Sequence, residues 1–124
     1  MVERMAQDAD HIILACGATD FRRQIAGLLV MVQQKFALDP YSPSHLFLFC
    51  NRQRNAIKAL RYDKNGFVLL TKKLMGDQKF QWPRTSAESK EITRQQIRWL
   101  TEGLEIEPKR AHKSIVLAEE STCY

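Results

Sequence analysis

The middle of the chain consists of apolar runs of strand length separated by turn signals, and this pattern constrains the fold most. Residues 46–50 (LFLFC) form a continuous apolar run, typical of a strand covered on both faces. Residues 56–62 (AIKALRY) alternate with the period of two expected of a strand. The tetrapeptide at residues 63–66 (DKNG) predicts a tight turn, because Asn-Gly tolerates positive φ, and residues 67–72 supply the return strand. The sequence therefore predicts a hairpin within a β-sheet.

Other elements are predicted on both sides of this hairpin. Residues 11–16 (HIILAC) resemble a buried strand. A helix follows over residues 20–36, with Thr19 as its N-cap. Its apolar residues recur at helical spacing and are Phe21, Ile25, Leu28, Leu29, Val32 and Phe36. Residues 80–82 predict one more short strand and residues 84–91 a polar linker. A second helix begins at a capping box of Thr93 and Gln96 and ends near Gly103.

The predicted order is β-α-β-β-β-(β)-α, which defines the α+β class. We expect a small, mostly antiparallel sheet of four to five strands with the helices packed on one face. The long crossover allows the first strand to join the sheet in parallel. Residues 11–107 form a single domain in this prediction. Residues 1–10 are expected to be a mobile leader, and residues 108–124 a flexible basic and polar tail.

Composition excludes several classes of protein. The longest apolar run, residues 25–32, is shorter than the roughly 20 residues of a membrane span. The first ten residues are polar and lack the apolar stretch of a secretory signal. Three cysteines, Cys16, Cys50 and Cys123, are an odd number without tight spacing, which favours reduced thiols over disulfides. We therefore expect a cytoplasmic protein without membrane association, and we leave its oligomeric state open.

Motifs for catalysis and metal binding are weak. His11 and Cys16 are five residues apart, as are His45 and Cys50, and an odd separation on a strand points two side chains to opposite faces. No GxSxG motif and no phosphate-binding glycine loop occurs. We assign no catalytic residue, no metal site and no cofactor. One enzymatic alternative remains, a Mg²⁺-dependent nuclease that uses Asp63, Asp77 and Lys79, although turn carboxylates in solvent have little reason to bind the ion.

Positive charge is concentrated in residues 52–84. This stretch holds nine lysines and arginines and two aspartates, a local net charge of +7 against +5 for the whole chain. Such a surface attracts a polyanion, and nucleic acid is the obvious candidate. The predicted contacts to phosphate, which include two arginines of the first helix, are Arg22, Arg23, Arg52, Arg54, Lys58, Lys72 and Lys73. Strand alternation points Lys58 and Arg61 to opposite faces, so the bases cannot all share one groove.

Several motifs in a fixed order resemble a known family. They are LACGATDFR, FALDPYS, LFLFCNRQRNAIKALRYDKNGFVLLTKKL and FQWP, and they extend over residues 11–104. The sequence resembles the Orf2-like, or TnpB-type, accessory proteins of the insertion sequence 66 family of bacterial transposable elements. The resemblance implies a helper in transposition that is encoded beside a separate, larger transposase. It supplies no catalytic residues.

The sequence thus predicts a non-catalytic accessory protein in DNA transposition. Its expected partners are DNA, at the ends of the element, and the transposase of the same element. Contact with DNA would use the backbone and the basic hairpin surface. The alternatives are a protein–protein adaptor for the transposase, in which the charge serves solubility, and the Mg²⁺-dependent nuclease.

Overall fold

The computed structural model of the protein describes residues 1–84 and 89–106. Along the chain its elements are α1 (Val2–Gln7), β1 (His11–Ala15), α2 (Ile25–Val30) with a π-helical extension (Met31–Lys35), β2 (His45–Cys50), β3 (Ala56–Asp63), β4 (Gly66–Lys73), β5 (Ser89–Ile92) and α3 (Arg94–Thr101).

The five strands form one mixed sheet in the order β4-β3-β2-β1-β5. β1 and β2 are parallel, as the long crossover through α2 predicted, while the other three pairs are antiparallel. The hairpin of β3 and β4 closes where Asp63 pairs with Gly66. The predicted α+β class and the mostly antiparallel sheet are therefore confirmed.

Helices cover both faces of the sheet, which corrects the prediction that they pack on one face. Val2 and Ala6 of α1 and Ile97 of α3 pack on one face, against Leu14 and Leu48 among others. On the other face, Leu28 and Val32 pack against Ile13, Phe47, Phe49 and Leu60. The physical reason is that β1 and β2 are apolar on both sides, so each face needs its own cover.

The N-terminal ten residues were predicted to be a mobile leader, and the structure differs. Residues Val2–Gln7 form a helix whose Val2 and Ala6 are buried in the core. Two arginines, one on β3 and one on α3, hold the end of this helix. Arg61 donates to the carbonyls of Met5 and Asp8, and Arg94 donates to those of Ala6 and Gln7.

The helix predicted from residue 20 begins instead at Ile25, with Gln24 in the N-cap position. Thr19 is therefore not its cap; Thr19 is buried, and its N–H donates to the carbonyl of Cys50 at 2.8 Å. The Lys58 ammonium donates hydrogen bonds to the carbonyls of Phe21 and Arg23, at 3.0 and 2.9 Å. These bonds tie residues 21–23, which precede the first residue of the helix, to β3.

The last strand also differs from its prediction. Residues 80–82 are not a strand; Phe80 and Trp82 are buried, and the Trp82 Nε1–H donates to the carbonyl of Ala15 at 2.8 Å. The fifth strand, β5, overlaps the last three residues of the segment predicted as a polar linker and pairs with β1, Ile12 opposite Ile92. The capping box of α3 is confirmed, and Gly103 has a φ of 88° beyond its end.

Cys16 and Cys50 are buried in the core, as expected of small apolar side chains. Burial raises the pKa of the Cys50 thiol to about 12, so it stays protonated at neutral pH. Cys123 and the predicted tail, residues 108–124, lie outside the described residues. Among the residues described, no helix has the length and apolar character needed to span a bilayer.

Candidate nucleic-acid interface

The sheet topology gathers several loops at one end of the molecule. β1 and β2 finish at this end, where Ala15 lies opposite Ser89, the first residue of β5. β3 begins there and β4 finishes there, with Ala56 opposite Lys73. The loops that follow β1, β2 and β4 therefore meet, although they are distant in sequence.

Acidic side chains occupy the opposite end of the sheet. Asp8 and Asp10 precede β1, Asp39 precedes β2, and Asp63 ends β3. All four side chains are exposed. Three bases, Arg4, Arg61 and Lys64, lie at this end as well, so its charges are mixed.

Three shallow concavities follow one another across the positive end. The first, about 770 Å³, lies between the loop after β1 and the loop after β2 and is lined by Arg22 and Arg52. The second, about 360 Å³, shares Arg52 and adds Arg54 and Arg84. The third, about 540 Å³, shares Arg54 and Arg84 and adds Lys90. We call these five residues the basic sheet end.

The loop after β2 is held rigidly, so Arg52 and Arg54 are presented from fixed backbone. The Asn51 Oδ1 accepts from the N–H groups of Asn55 and Ala56, and its amide donates to the Asn55 side chain at 2.6 Å. Arg54 has a φ of 59°, and its carbonyl accepts from the Phe80 N–H at 2.7 Å. A fixed loop loses less conformational freedom when its arginines bind a ligand.

Asp20 and Arg22 form a forked pair at the rim of the first concavity. The Arg22 guanidinium donates to both carboxylate oxygens of Asp20, with Nη2 at 2.7 Å from Oδ2. These hydrogen bonds lower the pKa of Asp20 to about 2 and raise the pKa of Arg22. Because the folded-state pKa lies below the usual 3.8, the pair contributes stability above that pH and loses it as pH falls towards 2. At neutral pH Asp20 offsets the charge of Arg22.

In the part of the chain that the structure describes, the other four bases of the sheet end have no such partner. Within residues 1–84 and 89–106, the ion pairs are Asp20 with Arg22 and His11 with Glu91. Glu105 lines the third concavity without pairing with its bases. An arginine without an ion-pair partner can bind a phosphate without first breaking an existing ion pair, and this favours anion binding.

Lys58, predicted to contact phosphate, lies instead in the interior and is 6% exposed. Its ammonium lies 4.9 Å from the ring centroid of Phe21, in addition to its bonds to two carbonyls. Alternation placed Lys58 on the correct face of β3, but that face is covered by the loop before α2. Lys58 is thus a support for the loop that carries Arg22.

The remaining predicted bases, Arg23, Lys72 and Lys73, lie outside the three concavities. The Arg23 guanidinium donates to the carbonyl of Gly27 at 3.2 Å. Lys72 and Lys73 are exposed at the end of β4 and point to opposite faces, since they pair with Ile57 and Ala56. Neither is among the residues that line the three concavities.

Arg84 and Lys90 were absent from the predicted contacts. They enter the site because β5 pairs with β1 and because the Pro83 carbonyl accepts from the Gly17 N–H at 2.7 Å. Both are pairings between residues more than 60 positions apart, and local sequence carries no signal for them. Their only sequence signal was positive charge.

The geometry contradicts the nuclease alternative. Asp63 lies in the turn before β4, while Asp77 lies in the turn after it. The eight residues of β4 separate them by roughly 25 Å at about 3.3 Å per residue. Lys79 donates to the carbonyl of Gln53. Two carboxylates so far apart cannot bind one metal cluster. In the described part of the chain, no three histidine, cysteine or acidic side chains converge.

This fold, with a basic end on a mixed five-stranded sheet, can be compared with known proteins. The family model described as IS66 Orf2 like protein matches residues 10–111, and the chain belongs to this family. It is 30% identical over 95 residues to the uncharacterized protein y4hO of Sinorhizobium fredii (strain NBRC 101917 / NGR234), which covers 77% of this chain and 81% of that protein. No solved structure matches. Membership of the family gives the protein an accessory role in the transposition of insertion sequence 66 elements.

Proposed function

We propose that the protein assists transposition by binding the DNA backbone through the basic sheet end. The observation that carries this proposal is a row of four bases along adjoining concavities, none of which has a paired carboxylate in the described residues. These bases are Arg52, Arg54, Arg84 and Lys90. Guanidinium groups match phosphate geometry and release counterions when they bind it.

The surroundings of these basic residues favour contact with phosphate groups and not with nucleobases. Phe80 and Trp82, the aromatic residues nearest Arg54 and Arg84, are buried, so they offer no face for base stacking. Among the described residues, loops and Lys90 of β5 line the concavities, and no helix contributes to them. The protein would therefore bind DNA with little sequence preference, and the choice of element ends would come from the transposase of the same element.

The test is a salt titration of DNA binding by fluorescence anisotropy, using labelled duplex DNA. We expect log Kd to change linearly with log salt concentration. Arg52→Gln and Arg84→Gln should each weaken binding at about 50 mM salt and reduce the slope by about 1, because each removes one phosphate contact. Lys35→Gln is the matched control: it removes one exposed positive charge away from the basic sheet end, at the end of the π-helical turn.

Two results would contradict the proposal. Wild-type protein that fails to bind duplex DNA at low salt would remove it, and retention of the transposase in a pull-down would then favour the adaptor alternative. Equal losses for Lys35→Gln and Arg52→Gln would mean that net charge, and not the basic sheet end, governs binding.

A further inference from the structure

β4 is the longer of the two edge strands of the sheet. It has eight residues, against four in β5 at the other edge. Along its outer side the backbone N–H and C=O groups have no strand partner among the described residues. Such an edge can accept an added strand from another chain, with main-chain hydrogen bonds giving affinity.

An apolar concavity lies beside the first half of β4. It measures about 360 Å³ and is lined in part by Met1, Met5, Pro43 and Val68. Met1 and Val68 are among the exposed large apolar residues, at 76% and 45%. Val68 points to this side of the sheet because it pairs with Arg61, which reaches α1. The concavity offers a seat for one apolar side chain of an added strand.

Charge differs between the two halves of the same face. Lys72 lies four residues beyond Val68, on the same face, about 13 Å away along the strand. It has no paired carboxylate in the described residues. At the other end, two bases, Arg4 and Arg61, and two acids, Asp8 and Asp63, line the concavity, so its charges balance. A carboxylate on an added strand is therefore favoured near Lys72 and gains no net attraction at the concavity.

We propose that the edge of β4 binds an extended segment of a partner protein, which seats an apolar side chain beside Val68 and a carboxylate beside Lys72. A second copy fits less well, because β4 contains lysines but no acidic residue and supplies no counter-charge. The proposal concerns a surface distinct from the basic sheet end and does not depend on DNA binding.

The probe is a short fluorescent peptide of strand-forming residues with a valine and a glutamate four residues apart; in its partner peptide, lysine replaces the glutamate. Anisotropy with the full chain should show binding of the glutamate peptide. Lys72→Glu should weaken that binding about tenfold and restore binding of the lysine peptide, since each change exchanges attraction for repulsion. Lys35→Glu, with the same change in net charge away from the edge, should alter it less than about twofold.

Changes in backbone amide chemical shifts, measured by NMR, locate the bound peptide on the protein. The variant Arg52→Gln distinguishes this surface from the proposed DNA site. Shifts along β4, unchanged in Arg52→Gln, would support the proposal whatever the outcome of the DNA titration. It would be overturned by an absence of peptide binding, by equal losses in Lys72→Glu and Lys35→Glu, or by shifts on other elements. Binding that requires removal of residues 107–124 would assign the edge to the chain's own C-terminal segment, and β4 protection in a dimer would assign it to a second copy; both overturn it.

Discussion

The ammonium of Lys58 supports the backbone that carries Arg22 and Arg23. It donates to two carbonyls of the segment before α2 and lies over the ring of Phe21. Its two hydrogen bonds and the Phe21 ring offset part of the cost of burying the charge, and its removal leaves two acceptors without these donors. Lys58 is therefore important for stability, and indirectly for the shape of the basic sheet end.

Replacing Lys58 by methionine should destabilise the protein, although the apolar stem is retained. We expect the free energy of unfolding to fall by about 2–3 kcal/mol, because two hydrogen bonds from a charged donor are lost. Urea unfolding followed by circular dichroism measures this change. Lys72→Met, at an exposed position of the neighbouring strand, should change it by less than about 0.5 kcal/mol. Similar losses for both variants would show that the Lys58 hydrogen bonds contribute nothing.

The sequence predicted the position of the turn at residues 63–66 but not the conformation of each residue in it. The turn at residues 63–66 was found where predicted, but its positive φ, 56°, falls on Lys64 and not on the Asn-Gly pair. Similarly, alternation predicted the face of Lys58 but not its depth. Depth depends on what covers a face, and the covering loop lies 35 residues earlier in the chain.

At the scale of elements, local sequence patterns were sufficient to predict the strands whose neighbours in the sheet are close in sequence. β2, β3 and β4 are consecutive and apolar or alternating, and all three were predicted within two residues of their bounds. β5 was missed because Ile92 is its only buried residue, and its partner β1 lies far away in sequence. α1 was missed because a six-residue helix carries little periodicity, and its stability comes from tertiary contacts.

The docking of α1 should depend on Arg94, whose guanidinium donates to the carbonyls of Ala6 and Gln7 at 3.3 and 2.7 Å. Arg94→Met removes these donors from the end of the helix. We expect faster hydrogen exchange in residues 2–7, by about tenfold or more, because each bond from a charged donor contributes about 1.5–3 kcal/mol when buried and less when exposed.

The control for this prediction is Arg98→Met, on the same helix α3, at an exposed arginine whose side chain forms no hydrogen bond or ion pair with α1 in the described residues. Exchange in β2 should remain unchanged in both variants, because β2 lies at the centre of the sheet. Uniformly faster exchange across the protein in Arg94→Met would indicate global destabilisation instead of local release of α1.

At the scale of the whole molecule, the parallel pairing of β1 with β2 brings the loops that carry Arg22, Arg52 and Arg54 to the same end of the sheet. The sequence placed positive charge in residues 52–84, but the site combines part of that stretch with Arg22 and Lys90 and loses Lys58 to the interior. Composition therefore predicted the sign of the surface, and topology determined its members.

A cluster of like charges at one end must repel itself in the absence of a polyanion. At about 0.01 M salt the Debye length is about 30 Å, long enough for the bases of the sheet end to act on one another, and at about 0.15 M it is about 8 Å. We therefore expect the unfolding temperature to rise with sodium chloride, by about 5 °C for each 1 kcal/mol of repulsion that is screened. Thermal unfolding followed by circular dichroism measures it.

Neutralising the cluster should remove most of this salt dependence. The variant Arg52→Gln, Arg84→Gln, Lys90→Gln should unfold at a higher temperature than the wild type in low salt and respond less to added salt. A matched triple variant, Arg4→Gln, Lys35→Gln, Arg98→Gln, makes the same change in net charge at exposed positions of three separate helical segments. Since those bases are scattered, it should keep most of the wild-type response; identical behaviour of the two variants would mean that the positive charge is spread evenly and that the protein has no basic end.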